Sequence, residues 1–139
     1  MGAGSKFTKE TREAIVTAVS IGASQIDACR AARISDQTFM NWMADGRAAR
    51  EALARGEKLD ARARAKLEFL EEVEAADAQC AVDMQMLVYN SAQRNADDAK
   101  WWLERRRPEQ FRPVVRNEVG GPDGKPMEII IRYADSDAA

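Results

Sequence analysis

The sequence predicts a mainly α-helical chain: an N-terminal helix-turn-helix module, a central antiparallel helical hairpin for oligomerisation, and a short C-terminal β segment. Three observations carry this. Apolar residues recur at helical spacing over most of residues 8–107, capping residues precede the main runs, and extended runs separated by turn residues appear only beyond Pro113. The implied parts are an N-terminal module at 1–46, a linker at 47–60, the central helices at 61–112, and a C-terminal segment at 113–139.

Residues 1–7 read as a flexible arm. Thr8 is placed to cap a first helix that carries Ile15, Val16 and Val19 on one side and ends near Gly22. From Ser24 to Trp42 the pattern is helix, tight turn, helix. Ala28, Cys29, Ala31 and Ala32 are small enough to let the shorter helix lie close against another crossing steeply over it. Ile34 sits at the turn, and Phe39 and Trp42 follow at helical spacing to close a small core. Ser35 caps the second helix, its hydroxyl accepting from a backbone N–H near Thr38, with Asp36 at the positive end of the dipole.

That arrangement leaves Asp36, Gln37, Met40 and Asn41 facing outward, with Thr38 at the margin. Gln and Asn side chains can each pair bidentately with an adenine edge, so this face reads as a DNA-contacting one. The competing reading is plain packing within a helical bundle. Arg33 stands at the turn position where glycine is usual, because the backbone there takes a positive φ. A phosphate contact would account for an arginine in that place. Lys6, Lys9 and Arg47 are the further candidates for phosphate contacts around the second helix.

Composition narrows the function. Net charge is −2, so the chain as a whole is not basic, although residues 1–50 hold seven Lys and Arg against five Asp and Glu. A single copy would make few phosphate contacts, whereas several copies on one assembly would raise the effective concentration. With 139 residues divided among small modules, no module buries a large core alone, which also favours oligomerisation. The chain has no histidine, and Cys29 and Cys80 are far from zinc-ligand spacing, so they read as buried thiols. No metal site and no cofactor are expected. No long apolar run suggests a membrane span or signal peptide, which points to a reducing, cytoplasmic setting and no membrane partner.

Gly46 and Gly56 are expected to punctuate a short Ala/Arg-rich helical stretch, Arg47 to Arg55, before Asp60 caps a long helix running to about Ser91. On that helix Leu70, Val73, Cys80, Met84, Leu87 and Ser91 form one seam, interrupted at Asp77. Phe69, Val82, Met86 and Tyr89 form a second stripe on another face. Two stripes are more than one partner helix covers, so the second is assigned to another subunit. Arg94-Asn95 makes a turn, and Asp97-Asp98 open a helix through Trp101, Trp102 and Leu103 that stops at Pro108. Adjacent tryptophans point about 100° apart on a helix, so one is expected in the core and the other in an interface. Arg105-Arg106-Arg107 could form a second DNA patch, but is read instead as a helix C-terminus favoured by the dipole, with Glu104 and Glu109 as partners. Beyond Pro113, Val114 to Val119 and Met127 to Tyr133 look extended, separated by a turn-rich Gly120–Pro126. Two strands alone are marginal in water, so they would pair with a neighbour or a partner.

Three segments together resemble the small subunit of bacteriophage terminase. They are Ala31-Ala-Arg-Ile-Ser-Asp-Gln-Thr-Phe-Met-Asn-Trp42, Leu67-Glu-Phe-Leu-Glu-Glu-Val-Glu-Ala75, and Asp98-Ala-Lys-Trp-Trp-Leu-Glu-Arg-Arg-Arg-Pro-Glu-Gln-Phe111, the last being the most specific. The resemblance implies a ring-shaped homo-oligomer that recognises double-stranded viral DNA at the packaging start site, in the host cytoplasm, and presents it to the large terminase subunit. It implies that Arg33, Ser35, Gln37, Thr38 and Asn41 face DNA and that residues 61–107 form the ring. Oligomerisation contacts are accordingly expected at Phe69, Leu70, Val73, Met84, Met86, Leu87, Tyr89, Trp101 and Trp102. It also implies that the C-terminal strand lines the pore or engages the large subunit.

An enzyme is not expected, because the sequence lacks a Gly-rich phosphate loop with Lys-Ser/Thr and any histidine-based nucleophile and base pair. The acidic runs Glu71-Glu72-Glu74-Asp77 and Asp97-Asp98 are read as hydrated or capping positions rather than metal ligands. The alternative function is a helix-turn-helix transcriptional regulator binding an operator as a dimer. A third reading is an adaptor whose N-terminal helices are only packing.

Overall fold

The computed structural model describes residues 6–113, 120–126 and 129–131. It is mainly helical: α1 (Lys9–Ser20), α2 (Gln25–Ala31), α3 (Asp36–Ala54), α4 (Ala61–Ala92), α5 (Ala96–Arg106) and α6 (Pro108–Phe111), followed by a short 3-10 turn at Pro122–Gly124. No strand occurs among the described residues. Val114 to Val119 lies outside them, as do Met127, Glu128, Arg132 and Tyr133 of the second expected strand. No helix among the described residues is long and apolar enough to cross a membrane.

Helix starts follow from local chemistry. Side chains of Thr8, Ser24, Ser35 and Asp60 accept from Thr11, Asp27, Thr38 and Ala63 backbone N–H groups at 3.2, 3.2, 3.2 and 2.7 Å, each cap contributing about 1 kcal/mol. The ends of α1, α2 and α3 share a second device. In each, the residue two beyond the helix takes a positive φ and donates to the carbonyl three back, and the next residue donates five back. This is the Schellman arrangement, which favours glycine at its left-handed position. Gly22 and Gly56 fill it after α1 and α3, and Arg33 (φ 56°) fills it after α2.

Contacts divide the chain into two units, Met1–Ala99 and Lys100–Ala139. In the first, α4 packs against both α1 and α3, α1 against α2, and α2 against α3. Its core joins Ile15, Ala28, Cys29, Ile34, Phe39, Trp42, Phe69 and Val73. Phe69 is fully buried and stands edge-to-face with Phe7, Phe39 and Trp42, at centroid distances of 5.6, 6.2 and 5.8 Å.

This core corrects four sequence-based expectations. The module has four helices rather than three, because the first half of α4 supplies its central ring. Phe69, Leu70 and Val73, expected at a subunit interface, are therefore buried inside the chain. Phe7, expected in a flexible arm, packs its ring on Trp42 at 4.9 Å. Finally, α3 runs through Gly46 without a break. A Cβ at that position would lie 2.6 Å from the Lys66 carbonyl oxygen and 2.8 Å from Leu70 Cβ. The missing side chain thus serves the close approach of α3 to α4 and not a helix end.

Polar contacts reinforce the same seam. Arg50 donates to both Glu74 carboxylate oxygens at 3.2 and 2.6 Å, holding that carboxyl below its usual range. Arg12 lies 3.5 Å from Glu72. Lys66 is buried beneath the rings of Phe7 and Trp42, its ammonium 4.1 and 5.1 Å from their centroids and 3.8 Å from Asp45. Burial pushes this lysine down and Asp45 opposes it.

Buried residues of α4 stop at Cys80. Beyond it Val82, Met84, Met86, Leu87 and Tyr89 are all at least half exposed. At about 100° per residue, Met84 and Leu87 fall on one side of the helix and Val82, Met86 and Tyr89 on the opposite one. The turn at Arg94-Asn95 forms as expected: the Asn95 side chain accepts from Asp97 N–H at 2.9 Å, and Ser91 donates to Asp98.

α5 begins in the first unit and continues into the second; it has no buried residue, and Trp101 and Trp102 are both exposed. The expectation of one core tryptophan is therefore not met within the chain. Pro108 does not simply end helicity; it starts α6 from the first helical position, where its missing N–H costs nothing.

Candidate nucleic-acid interface

The candidate interface is the outward side of α3 together with the turn before it. Phe39, Trp42, Gly46 and Ala49 are buried, and they fix that side by exclusion. Gln37, Met40, Asn41, Ala44, Arg47 and Ala48 occupy the opposite arc of the helix and are exposed. Asp36 is exposed and Thr38 half-buried, as the spacing predicts.

Gln37 Nε2 donates to Asn41 Oδ1 at 2.9 Å. The pair holds both amides in register and leaves the Gln37 oxygen and the Asn41 NH2 group for a ligand. One acceptor beside one donor is the pattern an adenine edge requires. Met40 is exposed beside them and offers the kind of apolar surface that meets a thymine methyl. Ser35 and Thr38 are engaged locally, since their hydroxyls share a 2.9 Å hydrogen bond in addition to the cap. They fix the start of α3, and one hydroxyl proton of the pair remains to donate.

Among the basic candidates, Arg33 is exposed at the left-handed turn and Arg47 lies on the outward arc, about 15 Å along the axis from Gln37. Neither makes an ion pair among the described residues. Lys6 and Lys9 are exposed, with Lys9 3.7 Å from Glu13, but no polar contact joins either to the outward face of α3. The structure thus places Gln37, Asn41 and Arg47 on the outward arc of α3, with Arg33 exposed at the turn before it.

One residue supporting this surface was not singled out for that role from sequence. Cys29 of α2 is buried, and burial first, then the neighbouring Asp36 carboxylate at the start of α3, push its thiol up to about 11. It stays protonated at neutral pH and packs α2 against the first turn of α3. The small residues around it were the only sequence signal of this contact.

The family model described as "Bacteriophage Sf6, terminase small subunit-like" matches residues 7–118. No curated protein and no solved structure gives a significant match.

Proposed function

The chain belongs to the bacteriophage Sf6 terminase small subunit-like family, and from its consequent role in phage genome packaging we propose that it is the non-catalytic DNA-recognition subunit of the packaging machine. In this reading α2 and α3 form a helix-turn-helix, and α3 lies in the major groove of viral DNA at the packaging start site. Gln37 and Asn41 read bases, while Arg33 and Arg47 contact phosphates. The distal half of α4 and the tryptophans of α5 join copies into a ring, and the segment after Arg112 engages the large subunit.

The observation that carries the DNA assignment is Arg33. The same turn geometry closes three helices, and the chain uses glycine at the two that lie away from the proposed reading surface. At the third it keeps an arginine at φ 56°, although a non-glycine residue there costs about 1–2 kcal/mol. A strained side chain retained beside an exposed reading helix is accounted for by a ligand contact.

Opposed apolar stripes on distal α4 support the ring. A two-fold dimer uses one self-complementary patch, whereas a head-to-tail contact uses two different ones and forms a ring when its rotation closes. Met84 and Leu87 on one side, with Val82, Met86 and Tyr89 on the other, supply two. Exposed Ile129, Ile130 and Ile131 are the corresponding apolar offer for a partner near the C-terminus.

Arg33→Gly tests the DNA assignment. Relief of backbone strain offsets the added freedom of the unfolded chain, so stability should stay within about 1 kcal/mol of the parent, while affinity for packaging-site DNA falls. Gln37→Ala with Asn41→Ala should remove sequence preference, a loss of about 1–3 kcal/mol of discrimination per contacted base, with the assembled mass unchanged. Unaltered affinity in the first variant and unaltered preference in the second, measured by competition binding, would refute it.

A further inference from the structure

The segment from Lys100 to Pro113 carries five cations, Lys100, Arg105, Arg106, Arg107 and Arg112, against two carboxylates, Glu104 and Glu109, in a chain whose net charge is −2. Helix-dipole capping with Glu104 and Glu109 as partners was the sequence-based explanation. The expected pairing is absent: among the described residues none of these arginines makes an ion pair. Arg12, Arg50 and Arg55 of the first unit each do. The dipole favours Arg105 and Arg106 at the end of α5, but it does not explain Arg107 or Arg112, which lie beyond that helix.

Two of the guanidinium groups are arranged for an anion. Arg105 and Arg112 line one groove of about 480 Å³, whose remaining walls are Glu104, Pro108 and Pro113. The Arg105 guanidinium carbon lies 4.2 Å from the centroid of the exposed Trp101 ring. Stacking fixes the plane of the guanidinium and leaves its edge donors for a ligand. α6, begun by Pro108, brings Arg112 to the same groove one helical turn later. Arginines without ion pairs, rather than lysines, suit bidentate contact with phosphate oxygens.

We propose that the α5–α6 segment is a second nucleic-acid contact, binding the phosphodiester backbone of duplex DNA without regard to sequence, with Arg105 and Arg112 sharing one phosphate and Arg106 and Arg107 on its neighbours. The inference rests on the reading that the assembly binds DNA. It gives that assembly two separable functions: α3 selects the sequence, and the arginine segment holds the strand.

The test titrates the full-length protein into a fluorescein-labelled duplex of unrelated sequence over a range of salt concentrations. Solution mass is checked for each variant. Each phosphate contact contributes a slope of about −0.9 to log K against log salt. Changing Arg105, Arg106 and Arg107 together to alanine should make the slope shallower by roughly 2, and adding Arg112→Gln to that variant by roughly 3 in all, because Arg105 and Arg112 share one phosphate. Both should weaken packaging-site and unrelated duplexes by the same factor. A parental slope in both variants overturns the proposal. So does a fall in assembled mass with the slope retained, which would assign the arginines to contacts between copies. If the Arg33 and Gln37/Asn41 variants bind like the parent while the arginine variants lose slope, the helix-turn-helix reading fails and this inference stands.

Discussion

Replacing Phe69 with alanine lowers the unfolding free energy by about 3–5 kcal/mol. Its ring is fully buried and meets Phe7, Phe39 and Trp42 edge-to-face, so the deletion removes contacts to the N-terminal segment and α3 at once. Small domains have only about 5–15 kcal/mol to lose, and the four-helix unit should approach the limit of folding. Because α3 is oriented through this ring, DNA affinity should fall in parallel although Phe69 touches no proposed DNA contact. Urea denaturation followed by far-ultraviolet circular dichroism measures the cost. A value below about 1 kcal/mol, the range of surface substitutions and mild core changes, would mean that α4 is not the centre of this core.

Gly46→Ala is expected to destabilise by about 1–3 kcal/mol, the range for overpacking. Helix propensity alone predicts the opposite sign, since alanine is favoured over glycine in a helix interior by about 1 kcal/mol. The deciding fact is that the new Cβ meets backbone: the Lys66 carbonyl oxygen at 2.6 Å cannot rotate away as a side chain could. To admit it, α3 and α4 must separate, loosening Leu70 and the Lys66 contacts with Phe7 and Trp42. A denaturation midpoint that falls supports the close approach; one that rises shows propensity winning and contradicts it.

These two residues also mark where the sequence was legible and where it was not. Caps are local chemistry, so Thr8, Ser35 and Asp60 announced α1, α3 and α4 correctly. The outward arc of α3 was equally readable, because periodicity divides a helix into faces. Periodicity does not say what covers an apolar face. Leu70 and Met84 belong to the same stripe of α4, yet the first is buried within the chain and the second is exposed. Gly46 was misread for a related reason: a glycine that ends a helix and one that admits a neighbouring backbone look alike until the neighbour is known. Phe7 and Lys66 escaped notice because their roles depend on each other and on Trp42, residues far apart in sequence. On the candidate surface Arg33 is the informative residue, an arginine in a glycine position whose backbone is left-handed and which makes no ion pair among the described residues.

We propose that opposed apolar stripes on distal α4 join copies head-to-tail into a ring that displays many reading helices. Native mass spectrometry of the full-length protein tests it most directly. The account predicts a closed assembly of several copies with one dominant mass, dissociating when Met86 and Leu87 are changed to aspartate while the helical content of each copy is kept. A monomer, or a dimer that persists in that variant, would contradict the ring and favour a two-fold regulator binding an operator.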